Sequence, residues 1–245
     1  MSFNHLKVEE IEKIFLKIYE NACELLEEAE LLYNHQKFAR AYLCAHIAFE
    51  EFGKLPMLNS VAIDVYFGKK IDWKKLNKDI RNHHSKISQS YTTILLILFR
   101  FMKRNGYKKF SFKLIINCYD EIVKFINEDN WSLADSAEEL YMEIENLVQL
   151  DTIPDVASML NGYKNASLYA DFNEGNFYKP NEKISKNICE FVITLAQIQR
   201  KFIELPKVHI EGFRFNELDE EWEYSIEYKK FIDSLDELEQ LQKQK

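Results

Sequence analysis

Helix breakers are scarce in this chain. Six glycines and four prolines are spread over 245 residues, so several segments of more than twenty residues run without interruption. A turn-rich β-sandwich needs far more of both, and the fold class that fits is all-α. Periodicity places the helices. Ile11, Phe15, Ile18, Ala22, Leu25 and Ala29 recur on one side of a helix over about 6–33. After the Asn34-His35 break, a second runs from about Gln36 through Leu55, resumes after Pro56 toward Tyr66, and is closed by Gly68. A third begins at Asp72, an N-cap, and continues to about Lys103 on a stripe of Leu76, Ile80, Ile87, Tyr91, Ile94 and Leu98. Asn105-Gly106 marks a turn; a fourth stretch covers about 110–127 and a fifth about 132–148. One or two short helices are expected within 151–164 and a loop over 171–181. A sixth main helix runs from an Asn181 cap to Leu205, where Pro206 stops it. Residues 208–215 read as a short strand or a linker. The expected architecture is a bundle of about six helices over 1–205 and an acidic helical extension over 206–245.

No apolar run reaches 18 residues; the best candidate, Thr92–Met102, is broken by Arg100, so no membrane association is expected. The N-terminal residues carry no secretory pattern, and Cys23, Cys44, Cys118 and Cys189 lie far apart. A cytoplasmic protein with reduced, packed thiols is expected. The net charge of −8 conceals a segregation. Between Lys69 and Lys113 stand 13 Lys and Arg against Asp72 and Asp79, a local balance of +11. Residues 217–245 hold ten acids and four lysines. A basic block in an acidic protein suits a polyanion such as RNA or an acidic partner; the bland counterpart is a pair of solvated helix faces, the tail covering the block.

The second helix carries charge where a core belongs. His46, Glu50 and Lys54 stand one above another at i, i+4 and i+8, on the side that also holds Leu43, Phe49 and Met57. Burying such groups unpaired costs about 1–3 kcal/mol each and more for charges. The acids and the His could handle protons, bind a metal or orient another basic group. A purely structural account is a buried Glu50–Lys54 pair, but Glu51 points about 100° away and needs its own explanation. The next constellation is Arg81-Asn82-His83-His84-Ser85-Lys86, inside the basic block. At least one of His83 and His84 is expected to face the interior, and Arg81 to lie one turn from His84 so that both reach one phosphate. A His that moves the 2′-OH proton beside an Arg that stabilises the phosphorane would serve metal-free RNA cleavage. A third stretch, Lys164 to Phe172, supplies Lys164 and Tyr169 as ligand contacts; alternatively Tyr169 and Phe172 plug the bundle end. Neither a metal nor an organic cofactor is expected: Glu-x-x-His, His-Glu-x-x-His, phosphate-loop and dinucleotide-loop patterns are all missing.

Three stretches in this order, Ala48-Phe49-Glu50-Glu51-Phe52-Gly53-Lys54, His83-His84-Ser85-Lys86 and Lys164…Leu168-Tyr169-Ala170-Asp171 followed by Pro180, resemble the AbiV family of bacterial abortive-infection proteins. The resemblance covers roughly residues 8–204 and leaves the acidic extension outside it. It implies a phage-defence protein that shuts down growth of the infected cell, and kinship with HEPN-like helical domains. Many of those are dimeric, metal-free ribonucleases with an Arg-x4–6-His motif. Here the histidines after Arg81 come at +2 and +3, while Arg40 and His46 keep the spacing but lie about 120° apart on a helix.

The expected function is therefore a homodimeric, HEPN-like ribonuclease toxin that cleaves tRNA or ribosomal RNA and halts translation, with a phage protein as activator. His83 or His84 would be the general base, Arg81 and Lys86 phosphate ligands, and Glu50 or Glu51 their support, with Lys54 serving either role. A non-enzymatic reading stands beside it: a helical effector that binds a phage protein or the translation machinery, anchored by the Glu-Glu-x-Gly-Lys element.

Overall fold

Four alanines decide which helix sits in the middle. Ala39, Ala41, Ala45 and Ala48 are each at most 1% exposed on α2 (Phe38–Phe52), together with Tyr42, Phe49 and Phe52. One methyl group apiece lets neighbours approach closely from several sides. In the computed structural model of the protein, α2 packs against α1 (Val8–Asn34), α3 (Lys54–Tyr66), α5 (His83–Asn105), α8 (Val156–Leu168) and α10 (Lys186–Ile203). The shorter α4 (Trp73–Arg81), α6 (Phe112–Asn117), α7 (Tyr119–Glu128) and α9 (Pro180–Lys183) complete the helices among the described residues. Those residues are 3–107, 111–128, 156–173 and 176–204. All of them belong to one compact unit, built from Met1–Glu128 and Asp155–Gly212. The fold class is all-α, as expected. The helix expected over about 132–148, the 208–215 segment and the acidic extension lie outside the described residues. No helix among the described residues is long and apolar enough to cross a membrane.

Several long helices expected from the sequence are divided, each for a local reason. The second splits at Gly53, and Pro56 falls in the first turn of α3, where its missing N–H costs nothing. The third splits at Asn82, whose side chain accepts from the backbone N–H of His84 at 2.9 Å and caps a new helix. Cys118 separates α6 from α7. Ser185, rather than Asn181, caps the last main helix by accepting from the Ile188 N–H. Gln36, at φ 60, turns the chain between α1 and α2. The loop expected at 171–181 contains an antiparallel hairpin, β1 (Asp171–Asn173) and β2 (Asn176–Tyr178), with Phe172 opposite Phe177. Tyr169 and Phe172 do not plug the bundle: they are 67% and 66% exposed.

Candidate functional site

Glu50 is 2% exposed on the central helix, a place where an isolated carboxylate would be prohibitively costly. Nitrogens from three helices compensate it. His46 Nε2 lies 3.0 Å from Oε1, one turn back on α2. From α5, His83 Nδ1 and Lys86 Nζ reach Oε2 at 2.6 and 2.7 Å. From α8, Lys164 Nζ meets Oε1 at 2.9 Å. Burial pushes the Glu50 carboxyl up, but the hydrogen bonds from His46, Lys86, Lys164 and His83 outweigh it and hold the group well below the usual carboxylate range. Glu50 is thus an anion, able only to accept.

That fixes the histidine tautomers. Each ring nitrogen facing Glu50 must carry hydrogen, so His83 donates through Nδ1 and His46 through Nε2. Lys164 Nζ also lies 3.2 Å from His83 Nδ1, but both are donors, and their common acceptor is Glu50. Burial pushes the His46 imidazole below its ordinary value against the pull of Glu50, so it is neutral. Its Nδ1 lone pair is buried without a partner among the described residues. His46 stacks on Tyr42 with ring centroids 5.8 Å apart, and the Tyr42 hydroxyl donates to the Leu160 carbonyl of α8 at 2.8 Å. His83 differs from the other donors in access. Its side chain is 60% exposed, so one edge grips Glu50 while the other faces solvent.

Gly53 explains how α5 comes near enough. Its backbone is ordinary, at φ −66. A Cβ there, however, would overlap the Lys86 carbonyl oxygen and sit 2.6 Å from Ser90 Oγ. The missing side chain lets the α2–α3 corner touch the α5 backbone, and that contact brings Lys86 to Glu50. Ser90 Oγ donates to the Phe49 carbonyl at 2.5 Å and receives Gln199 Nε2 at 3.0 Å, tying α10 to the same seam.

Of the residues singled out in the sequence, His46, Glu50, His83, Lys86 and Lys164 converge here. Lys86 is only 6% exposed and spends its charge on Glu50, not on a surface ligand. The Glu50–Lys54 pair of the purely structural account is not made: Glu50 is taken by His46, His83, Lys86 and Lys164, and Lys54 pairs with Glu51 at 2.6 Å. His84 is exposed, its Nδ1 3.3 Å from Ser88 Oγ, so of the two histidines only His83 turns an edge inward, to Glu50. Arg81 is exposed at the end of α4; with the helix broken at Asn82, it and His84 no longer share a face. Arg40, likewise exposed, does not accompany His46. Tyr169 stands just beyond α8, one residue past the helix that carries Lys164. Tyr42, Ser90 and Gln199 were not singled out in the sequence, though a serine and a glutamine inside apolar stripes were a signal. Among the described residues, no group of three or more His, Cys, Asp or Glu side chains is arranged to hold a metal.

The chain falls in the class of all-α, HEPN-type abortive-infection proteins. It belongs to the AbiV family: the family HEPN_AbiV, described as AbiV, matches residues 10–200, a span that includes every residue gathered around Glu50. No curated protein and no solved structure matches the chain.

Proposed function

We propose that this protein is a metal-independent endoribonuclease that halts translation in infected cells by cleaving tRNA or ribosomal RNA, acting as a homodimer and triggered by a phage component. The observation that carries the reading is the Glu50–His83 dyad: a buried anion fixes Nδ1–H at 2.6 Å and leaves the opposite edge of a 60% exposed imidazole open. A ring so held has its Nε2 lone pair free to take a proton. With RNA seated against it, Nε2 would accept the proton of a 2′-OH. The 2′-oxygen would bond the adjacent phosphorus, the P–O5′ bond would break, and the 5′-oxygen would take a proton from water, whose hydroxide recovers the proton held on Nε2. Lys164, 14% exposed at the same carboxylate, supplies positive charge where the phosphorane gains negative charge. Exposed Arg81 and His84 flank His83 in sequence, and a second copy facing the same rim would add its own pair. Nitrogen donors already occupy both Glu50 oxygens, so the dyad works without a cation at that position.

The test is cleavage of tRNA and ribosomal RNA in EDTA by the full-length protein, with phage lysate supplying a trigger, followed on denaturing gels. Wild type should cut and His83→Ala should not. Equal cutting by both would refute the assignment. Sedimentation of the purified protein checks the dimer.

A further inference from the structure

The helix just ahead of His83 carries more like charge than folding can use. On α4, Lys74, Lys78 and Arg81 recur at i, i+4 and i+7, within about 60° of arc, and all three are exposed. Leu76 and Ile80 form its buried side. Like charges one turn apart destabilise a helix, and Lys74 stands in the first turn, where the helix dipole already disfavours a cation. Elsewhere a helical cation meets a carboxylate one turn on: Lys124 with Glu128 on α7 at 3.7 Å, and Arg200 with Glu204 at the end of α10 at 2.8 Å. Lys74 and Lys78 make no ion pair among the described residues, and the side chain of Asp72 caps α4 by accepting from the Lys75 backbone N–H. The row leads to the site through the chain itself. Arg81 ends α4, Asn82 caps α5 and His83 opens it, so at most about 7.6 Å separates the Cα atoms of Arg81 and His83.

We propose that Lys74, Lys78 and Arg81 form a phosphate track that holds the backbone of an RNA strand on its way to His83 and reads no bases. As a substrate track, this rests on the ribonuclease reading given above. Three features favour a nucleic-acid backbone over a protein partner. Protein interfaces are anchored by apolar and aromatic side chains and are poor in lysine. Of the large apolar side chains exposed among the described residues, none lies on α4 or α5, and Trp73 is half-buried beside the His5 ring. Next, the exposed residues of α4 are Lys74, Lys75, Lys78 and Arg81, with no aromatic ring or amide among them; cations in a row position a backbone, whereas base edges need other partners. Finally, the row belongs to the block with a local balance of +11, a charge that a polyanion answers by releasing its own counterions.

The probes are fluorescein-labelled 2′-O-methyl oligouridylate and oligoadenylate, which lack the attacking hydroxyl and cannot be cleaved by this route. Fluorescence anisotropy with the full-length protein should show both bound with similar Kd, weakening steeply as salt rises. Lys74→Gln with Lys78→Gln should raise both Kd values by one factor, about tenfold at low salt. The slope of log Kd against log salt should fall by about 1.4, at about 0.7 per phosphate contact on a single strand. Lys13→Gln with Lys17→Gln removes the same charge at the same spacing from exposed positions on α1, and should stay within about twofold of wild type. The melting temperature of the α4 variant should not fall, since both lysines are exposed and repel each other. Wild-type protein that binds neither probe, an α4 variant that binds as wild type, or an α1 variant that loses as much overturns the track. So does a preference of about tenfold for one base, which means that bases are read. An α4 variant that keeps its RNA affinity and instead loses self-association also overturns it, assigning the row to a protein contact. Track and nuclease fail separately. Protein that cleaves RNA indifferently to both lysines loses only the track, whereas lysine-dependent binding with no cleavage of natural RNA loses only the nuclease.

Discussion

Glu50 and Glu204 are both carboxylates crowded by cations, and they differ in where the cations come from. Glu204, at the end of α10, takes Arg200 and Lys201 at 2.8 Å each from the preceding turn of its own chain, and the Tyr19 hydroxyl of α1 at 3.0 Å. Its side chain is 26% exposed. Glu50 takes one partner from its own helix and the others from 33 to 114 residues away, at 3% side-chain exposure. The first is a helix-end strap of i, i+3 and i, i+4 pairs, partly screened by water. The second is a desolvated junction of three helices that opens to solvent through one titratable ring. Charge density alone does not mark a site. Convergence from distant segments, together with one exposed proton acceptor, does.

Substitution separates the two regions. Glu50→Ala should cost about 3–5 kcal/mol, because it takes the carboxylate away from buried Lys86 and half-buried Lys164. Chemical denaturation would show it, and a loss under 1 kcal/mol would mean that water replaces the carboxylate. His83→Ala should lower RNA cleavage by about a hundredfold or more with little change in melting temperature, since the ring is mostly exposed. Cleavage that tracks stability, and not the ring, would turn the Glu50 junction into a second strap. Gly53→Ala should cost about 1–3 kcal/mol by pushing α5 off the α2–α3 corner, a shift visible as altered amide chemical shifts around Lys86 and Ser90.

Acid should find the Glu50 region in two stages. Folding favours neutral His46, so its contribution is complete above the ordinary imidazole value of about 6.5 and shrinks as pH falls below it. Folding also favours ionised Glu50, so its contribution is complete above about 4.3 and is lost as pH falls toward its depressed folded value. Melting temperature measured from neutral pH downward should therefore begin to fall below about 6.5. His46→Gln, which still offers Glu50 an N–H, should flatten that upper limb. The smallest effect belongs to the strap: Glu204→Gln should cost about 1 kcal/mol or less and leave cleavage unchanged.

Much of the Glu50 region was legible in advance. The i, i+4 spacing of His46 and Glu50 placed both on one buried side, and they are hydrogen-bonded there. What misled was continuity. The stripe from Leu76 to Leu98 reads as one helix, and the Asn82 cap signal is a single residue set against it. Asn82 divides the stripe, so Arg81 ends α4 while Lys86 sits on α5 with its ammonium on Glu50. Gly53 is where the backbone meets α5, and Lys54 beyond it pairs with Glu51.

The sequence by itself determined the helical class and the need for compensation at Glu50, because both follow from interactions within a few residues: breaker frequency, apolar period and the cost of burying charge. It did not determine which cations would answer. Lys164 stands 114 residues from Glu50, and Lys86 arrives only because a glycine lets two backbones touch. Those pairings are set by how helices dock, and docking depends on side-chain shapes drawn from the whole chain. Only the tertiary structure could make His83, among the described partners of Glu50, the one that is mostly open to solvent.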